Sequence, residues 1–436
     1  VKLIKKDKAY VDDITPEQMH DLRGTLTTPG TETKNRYRPV EESLKLFEDM
    51  KNGKVADGAL VLRAKIDMAS PNINMRDPII YRVLKATHHR QGDKWCVYPM
   101  YDFAHPIEDA VEGVTHSICT LEFEDHRPLY DWVLKEGEFK NPPHQYEFAR
   151  LNLERTIMSK RYLKKLVDEK FVDGWDDPRM PTIAGMRRRG YTPSSLREFC
   201  ERIGVAKANS EVELSQLESC IRDELNVTAD RAMAVLKPLE LVITNRPDGF
   251  RETVSVEVNP NAPEKGERKV EFSNRIYIES DDFSLNPPPK YKRLVKGGAV
   301  RLKGAYIIRC TGCDEENGEV KRVYAEIVEG SKSGEDNSGV KAKGVIHWVD
   351  ADTAVDMKVN LYDSLLLPYD GVHEDFSQRL NPLSRVTLNA KGEAELGKAR
   401  PLTSFQFIRQ GYFCRDSKSE GVVYNRIVSL KDGYKK

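Results

Sequence analysis

The chain has 436 residues, 69 of them Lys or Arg and 69 Asp or Glu, so its formal net charge is zero. That length can bury several cores and suits about three domains. Balanced charge excludes a chain that attracts nucleic acid by bulk potential, and 32% charged residues with no apolar run of membrane length exclude a membrane-embedded one. Local charge differs from the average. Residues 151–205 hold 12 Lys or Arg against 8 Asp or Glu, including Arg187, Arg188 and Arg189, where a polyanion could dock or a solvated helix face could lie. Seven scattered cysteines, an odd number, fit reduced thiols in a cytosolic protein. Cys310-Thr-Gly-Cys313 has ligand-like spacing but no second Cys/His pair at zinc-site distance, so a hairpin with two free thiols is expected rather than a metal site.

In chain order, residues 39–50 place Leu44, Phe47 and Met50 on one helical face, and residues 58–66 alternate in part like a strand. Residues 1–100 thus read as a small α+β module. From Trp95 to Phe123 the order strand, helix, strand predicts part of a parallel α/β sheet. Residues 161–236 read as helices. Thr192 should cap a helix that begins at Pro193, buries Leu196, Phe199, Cys200 and Ile203, and stops at Gly204. Leu214, Leu217, Cys220, Ile221 and Leu225 form a second apolar stripe. Beyond Leu239 the period changes to two, in residues 252–258, 269–278, 323–328 and 356–362, with turn-rich breaks such as 333–339. Short strands without intervening helices predict antiparallel barrels, and about 200 residues suggest two.

Residues 156–161 read T-I-M-S-K-R, and a Lys between Ser and Arg suits the charge that develops on phosphate oxygens. Around it stand Y-P-M-Y-D-F-A-H (98–105), E-D-A-V-E-G-V-T-H-S-I-C-T-L-E-F (108–123), Q-Y-E-F-A-R-L-N (145–152), G-W-D-D-P-R-M-P-T (174–182) and R-R-R-G-Y-T (187–192). L-E-S-C-I-R (217–222), R-A-M-A-V (231–235), Y-K-R-L-V (291–295), K-G-V-I-H-W-V (343–349) and G-Y-F-C (411–414) follow. In this order the chain resembles the glutaminyl-tRNA synthetases, class I aminoacyl-tRNA synthetases, over essentially its whole length. The resemblance implies a multi-domain α/β plus all-β fold. An acceptor-stem-binding α+β insertion would occupy 1–100 and the second half of a Rossmann-type catalytic fold 101–150. The M-S-K loop and a helical connector would occupy 151–236. A proximal anticodon-binding β-barrel would comprise 237–286 with 376–436, and a distal one 287–375.

The same resemblance implies roles for individual residues. Met158, Ser159 and Lys160 form the loop that stabilises phosphoryl transfer, with Lys160 facing ATP phosphates, while Arg150 and Leu151 line the adenosine pocket. Tyr101, His105, Cys119, Phe123 and Gln145 fall on the glutamine side. A neutral amide offers a donor and an acceptor, so a selective site should avoid an unpaired cation. Glutamyl enzymes of this type place an arginine at the position of Cys119, and Cys119 with Gln145 therefore favours glutamine. Leu26 matches the apolar wedge that opens the terminal base pair, and Asp125 a carboxylate that reads the minor groove of the acceptor stem. Arg231, Lys292, Arg293, Arg301, Gln406 and Arg409 match positions that grip splayed anticodon bases. Lys303 replaces an arginine of that pattern.

The implied activity is ATP-dependent activation of glutamine and its transfer to the 3′ end of tRNA(Gln), with Mg²⁺ accompanying ATP and no protein-held metal. The implied protein is a cytoplasmic monomer without membrane contact. Glutamyl-tRNA synthesis and non-catalytic tRNA binding are the alternatives. The chain opens on Val1, and its likeness begins after the segment that carries the family's H-I-G-H signature. The expectation is accordingly a shortened chain, poorly active or inactive alone.

Overall fold

In a computed structural model of the chain, residues 1–369, 371–372 and 375–430 are described. They fall into two units, Val1–Arg150 with Val205–Ser210, and Leu151–Gly204 with the chain from Glu211 onward.

In the first unit, the strands Ala9–Asp12, Val61–Ala64, Ile79–Val83 and Val97–Pro99 pair in that order into an antiparallel sheet. The helix Val40–Lys51 packs Phe47 and Met50 into its core with Val11, Leu62 and Ile80, as the helical spacing predicts. Two ion pairs lie in this unit's interior, Arg63 Nε on Asp12 at 2.7 Å and Arg36 Nε on Asp77 at 2.8 Å. The strand Val97–Pro99 was expected in a parallel sheet, but it completes the antiparallel one. Three residues carry too little periodicity to declare a partner. The parallel pair comes next: His116–Thr120 and His144–Phe148 lie side by side, joined through the 3₁₀ turn Leu121–His126 and the helix Arg127–Gly137.

The second unit begins with a helical layer. Thr192 accepts the Ser195 amide and caps the helix Pro193–Ile203, which stops at Gly204. Phe199 packs with Leu217, Cys220, Ile221 and Leu225 of the helix Leu214–Thr228. Two seven-stranded sheets follow, each mostly antiparallel but with two parallel pairs, so both are mixed. Their membership departs from the expected ranges. Pro238–Ile243 and Arg275–Glu279 pair into the sheet that holds Ala299–Leu302, Ile307–Glu316 and Glu319–Ile327. Val355–Tyr362 joins Arg385–Gly392 and Val423–Val428. Alternation declares a strand without naming its non-local partner. Cys310 and Cys313 flank a bulge in Ile307–Glu316, both as free thiols.

Asp416 ties the helix Ile183–Arg189 to the last sheet. Its buried carboxylate accepts the Lys418 and Ser419 amides at 2.8 Å, Arg188 Nε at 3.1 Å and the Asn425 side chain. Burial alone would raise its pKa, but these donors pull it down to about 2 from an ordinary 3.8. A depressed carboxylate stabilises the fold above its unfolded value and loses that contribution as pH falls through the folded one. We expect the melting temperature to drop as pH falls from about 4 toward about 2. Asp416→Asn, compared with the unaltered chain by thermal melts, should flatten that pH dependence; parallel curves would contradict the assignment.

Candidate functional site

The helix Tyr101–Glu112 puts Tyr101 and His105 one turn apart, so their rings stack at 5.2 Å. Phe123 approaches Tyr101 at 5.6 Å. His105 Nε2 lies 3.0 Å from Asp109 Oδ2 and 3.1 Å from Ser117 Oγ, and Tyr130 donates to Asp109 at 2.9 Å. Cys119 occupies the neighbouring strand. Burial, then the carboxylates of Glu147 and Asp109, push its thiol up, which keeps it neutral. Gln145 turns inward: its amide nitrogen donates to Phe123 O at 3.0 Å and to Glu147 at 2.9 Å. Glu147 in turn holds Arg127 by two oxygens. The arginine of this cluster thus faces a carboxylate, and the His105 ring lies beside another. Asp109, Ser117 and Glu147 had no signal in the sequence beyond their place in the matching runs, and Arg127 and Tyr130 had none at all.

Arg150 is exposed at the end of the first unit, its amide bonded to Asn209. Leu151 opens the strand Leu151–Leu153 of the second and packs against the helical core. Ile157 is buried with Leu163 and Leu166, which anchors the loop before Met158 and Ser159. Ser159 is the N-cap of the helix Lys160–Asp168, but its hydroxyl makes no capping bond. Lys160 is exposed at the first helical position. Free helix amides, an uncommitted hydroxyl and an ammonium therefore stand together where an anion is favoured.

Leu26 is 80% exposed on the loop after the helix Pro16–Arg23. Gly24 lets that loop turn at φ 72, where a Cβ would meet the carbonyl oxygens of Thr28 and Pro29 at 2.6 Å. Buried Arg76 holds the loop, donating to the carbonyls of Arg23, Thr25 and Thr28 at 2.8, 2.9 and 3.0 Å. Asp125 is exposed, and its carbonyl accepts from Asn72 at 2.7 Å. Neither Arg76 nor Asn72 was singled out in the sequence.

Among the C-terminal cations and amides, Arg231 and Gln406 are register partners on adjacent parallel strands. Arg231 is buried, however, and its guanidinium donates to the carbonyls of Ala229 and Asn226 at 3.1 and 2.9 Å. Lys292, Arg293 and Arg409 line one cavity of about 750 Å³. Arg409 grips Asp282 by two bonds of 2.6 and 2.7 Å and touches His347 Nδ1 at 3.2 Å, while Arg293 reaches Asp282 at 2.9 Å. Buried Glu279 backs His347, accepting the amides of Leu236 and Lys237 and the Gln410 side chain. Arg301 does not line that cavity. It is bound to Asp336 and to Ser331 O. Lys303 follows the end of the same strand, Ala299–Leu302.

Residues 1–227 match the family described as "tRNA synthetases class I (E and Q), catalytic domain", and residues 229–328 and 345–416 match its two anti-codon binding domains. The chain belongs to the class I E and Q tRNA synthetases. Within this family it is 54% identical to a glutamine–tRNA ligase of Clostridium kluyveri, covering 100% of this chain and 80% of that one. Its identity to the glutamine–tRNA ligase of Clostridium perfringens is 55%, covering 99% of this chain and 80% of the relative. The corresponding enzyme of Aliivibrio fischeri is 53% identical, with 99% and 79% covered. The catalytic match takes in the stacked aromatic cluster and the Met158–Lys160 loop, and the anti-codon matches include Lys292, Arg293, Arg301, Gln406 and Arg409.

Proposed function

We propose that this synthetase activates glutamine with ATP, giving glutaminyl adenylate and pyrophosphate, and transfers the glutaminyl group to the 3′ end of tRNA(Gln). Glutamine–tRNA ligases at 53–55% identity over the chain support it. The observation that carries the choice of amino acid is that the arginine of the cluster, Arg127, is taken by Glu147, while Cys119 is held neutral. A neutral amide loses nothing there, whereas a glutamate carboxylate would enter without a cation to meet it.

In this reading Lys160 and Ser159 hold the ATP phosphates, with Mg²⁺ accompanying the nucleotide, and Arg150 and the Leu151 backbone hold adenosine. Leu26 opens the acceptor end, Asp125 reads the stem, and Arg231, Lys292, Arg293, Arg301, Gln406 and Arg409 take the anticodon bases. The carboxylates now on Arg293, Arg301 and Arg409 would exchange for base edges, which sets a penalty against RNAs whose bases cannot replace them. The protein acts as a cytoplasmic monomer, with a partial Rossmann-type catalytic fold and two anticodon-binding barrels. Among the described residues, no helix is long and apolar enough to cross a membrane.

Cys119→Arg in the full gene product tests the pocket. Glutamine charging should fall about 100-fold in kcat/KM, since an added cation leaves an unmatched charge of about 2–3 kcal/mol, and glutamate charging should rise. Unchanged glutamine charging would remove Cys119 from the site.

A further inference from the structure

The segment that leads into Met158 and the helices Ile183–Arg189 and Leu214–Thr228 meet the strands Val355–Tyr362 and Val423–Val428 around a cavity of about 200 Å³. That is room for several water molecules of about 30 Å³ each. Arg155, Arg189 and Arg426 all line it. Among the described residues none of the three has a carboxylate within ion-pair distance, whereas the neighbouring Arg179 and Arg188 are paired with Asp177 and Asp416. Two acidic residues share the lining, and their charge reaches Arg426 without forming an ion pair with it: Glu218 accepts from Arg222 at 3.5 Å, and Asp363 accepts the Ser364 amide at 2.7 Å.

The protein fixes these guanidiniums without consuming their donors. Arg155 spends only Nε, on Leu366 O at 3.0 Å. Arg189 uses Nε on the carbonyls of Arg426 and Ile427, and its plane is held against the rings of Tyr191 and Tyr362 at 5.3 and 5.5 Å. Arg426 gives Nη2 to Tyr362 O at 2.9 Å. Burial, then the charge of Arg189, hold Arg426 below its ordinary pKa. Arg155 also adopts φ 53, a left-handed backbone that a non-glycine residue rarely takes. Like charges gathered in a half-buried cavity, with terminal N–H groups unspent, are an arrangement that an anion relieves.

We infer that this cavity binds a small oxyanion of the phosphate class, held by Arg155, Arg189 and Arg426. Three planar forks offer more donors than the two oxygens of a carboxylate accept, and a tetrahedral phosphate supplies acceptors to all of them. The anion would also tie down Arg155, three residues before Met158, and so brace the loop that presents Lys160. This site is separate from the phosphate-facing role proposed for Lys160 and stands without it.

The test titrates the full chain with inorganic phosphate, and separately with pyrophosphate, by calorimetry at constant ionic strength, with chloride and glutamate as controls. Saturable binding of either phosphate is expected, weakened about tenfold or more by Arg155→Asn, which tolerates the left-handed backbone, and by Arg426→Gln. Lys160→Ala should leave it in place. Stronger pyrophosphate binding would assign the cavity to the diphosphate, and equal binding to the single phosphate. Should Arg426→Gln fail to fold, phenylglyoxal modification of Arg155 in the unaltered chain, mapped by mass spectrometry, should slow when phosphate is present. Heat that merely follows ionic strength, binding lost with Lys160→Ala but kept with Arg155→Asn, or an unchanged Arg155 modification rate would each overturn the proposal.

Discussion

Replacing Lys160 by Ala in the full gene product is expected to slow glutamine-dependent ATP–pyrophosphate exchange, with tRNA present, by about 100- to 1000-fold. The side chain is exposed at the start of the helix Lys160–Asp168, and among the described residues no hydrogen bond or ion pair commits it to the fold. Its removal should therefore leave the melting temperature within about a degree, as for other exposed substitutions. What disappears is a charge at a helix N-terminus, where, in the proposed reaction, negative charge would develop as pyrophosphate leaves. Lys160→Arg should recover part of the rate, since it keeps the charge and moves its position. A loss smaller than tenfold would show that the loop does not meet the reacting phosphates.

Glu279→Ala is expected to cost about 3–5 kcal/mol of stability. Its carboxylate accepts four donors: the amides of Leu236 and Lys237 at 2.6 and 3.0 Å, Gln410 at 2.8 Å and His347 at 3.4 Å. Burial alone would raise its pKa, but His347 and the Leu236 amide outweigh it and leave it below the ordinary value. Truncation leaves those donors without their shared acceptor, which is why the expected loss exceeds that of one surface ion pair. His347 then loses its support, and it is His347 and Asp282 that orient Arg409. Affinity for tRNA should fall with stability, and Glu279→Gln, which retains an acceptor, should lie between the two. A denaturation difference below about 1 kcal/mol would contradict the buried network.

Helix boundaries were legible in the sequence because they are local. Thr192, Pro193 and Gly204 each act within one turn, and the structure uses each as its chemistry suggests. Sheet membership is a non-local property, and the strands Pro238–Ile243 and Val355–Tyr362 found partners that period-two alternation does not specify. The same division runs through the site. Tyr101 and His105 could be paired from their spacing on a helix, whereas Gln145 spends its amide on Phe123 O and Glu147, an environment visible only once the parallel strands are in register. Arg76, Asp282 and Glu279 were invisible for another reason. Their contacts include backbone groups and side chains more than 40 residues away, and nothing in their immediate sequence marks that reach.

The direct measurement is charging of tRNA(Gln) by the full gene product with glutamine and with glutamate side by side, Cys119 unaltered. A kcat/KM for glutamine at least about 100-fold above that for glutamate is predicted, because the proposed pocket gives its arginine, Arg127, to Glu147. Equal charging, or a preference for glutamate, would contradict the account.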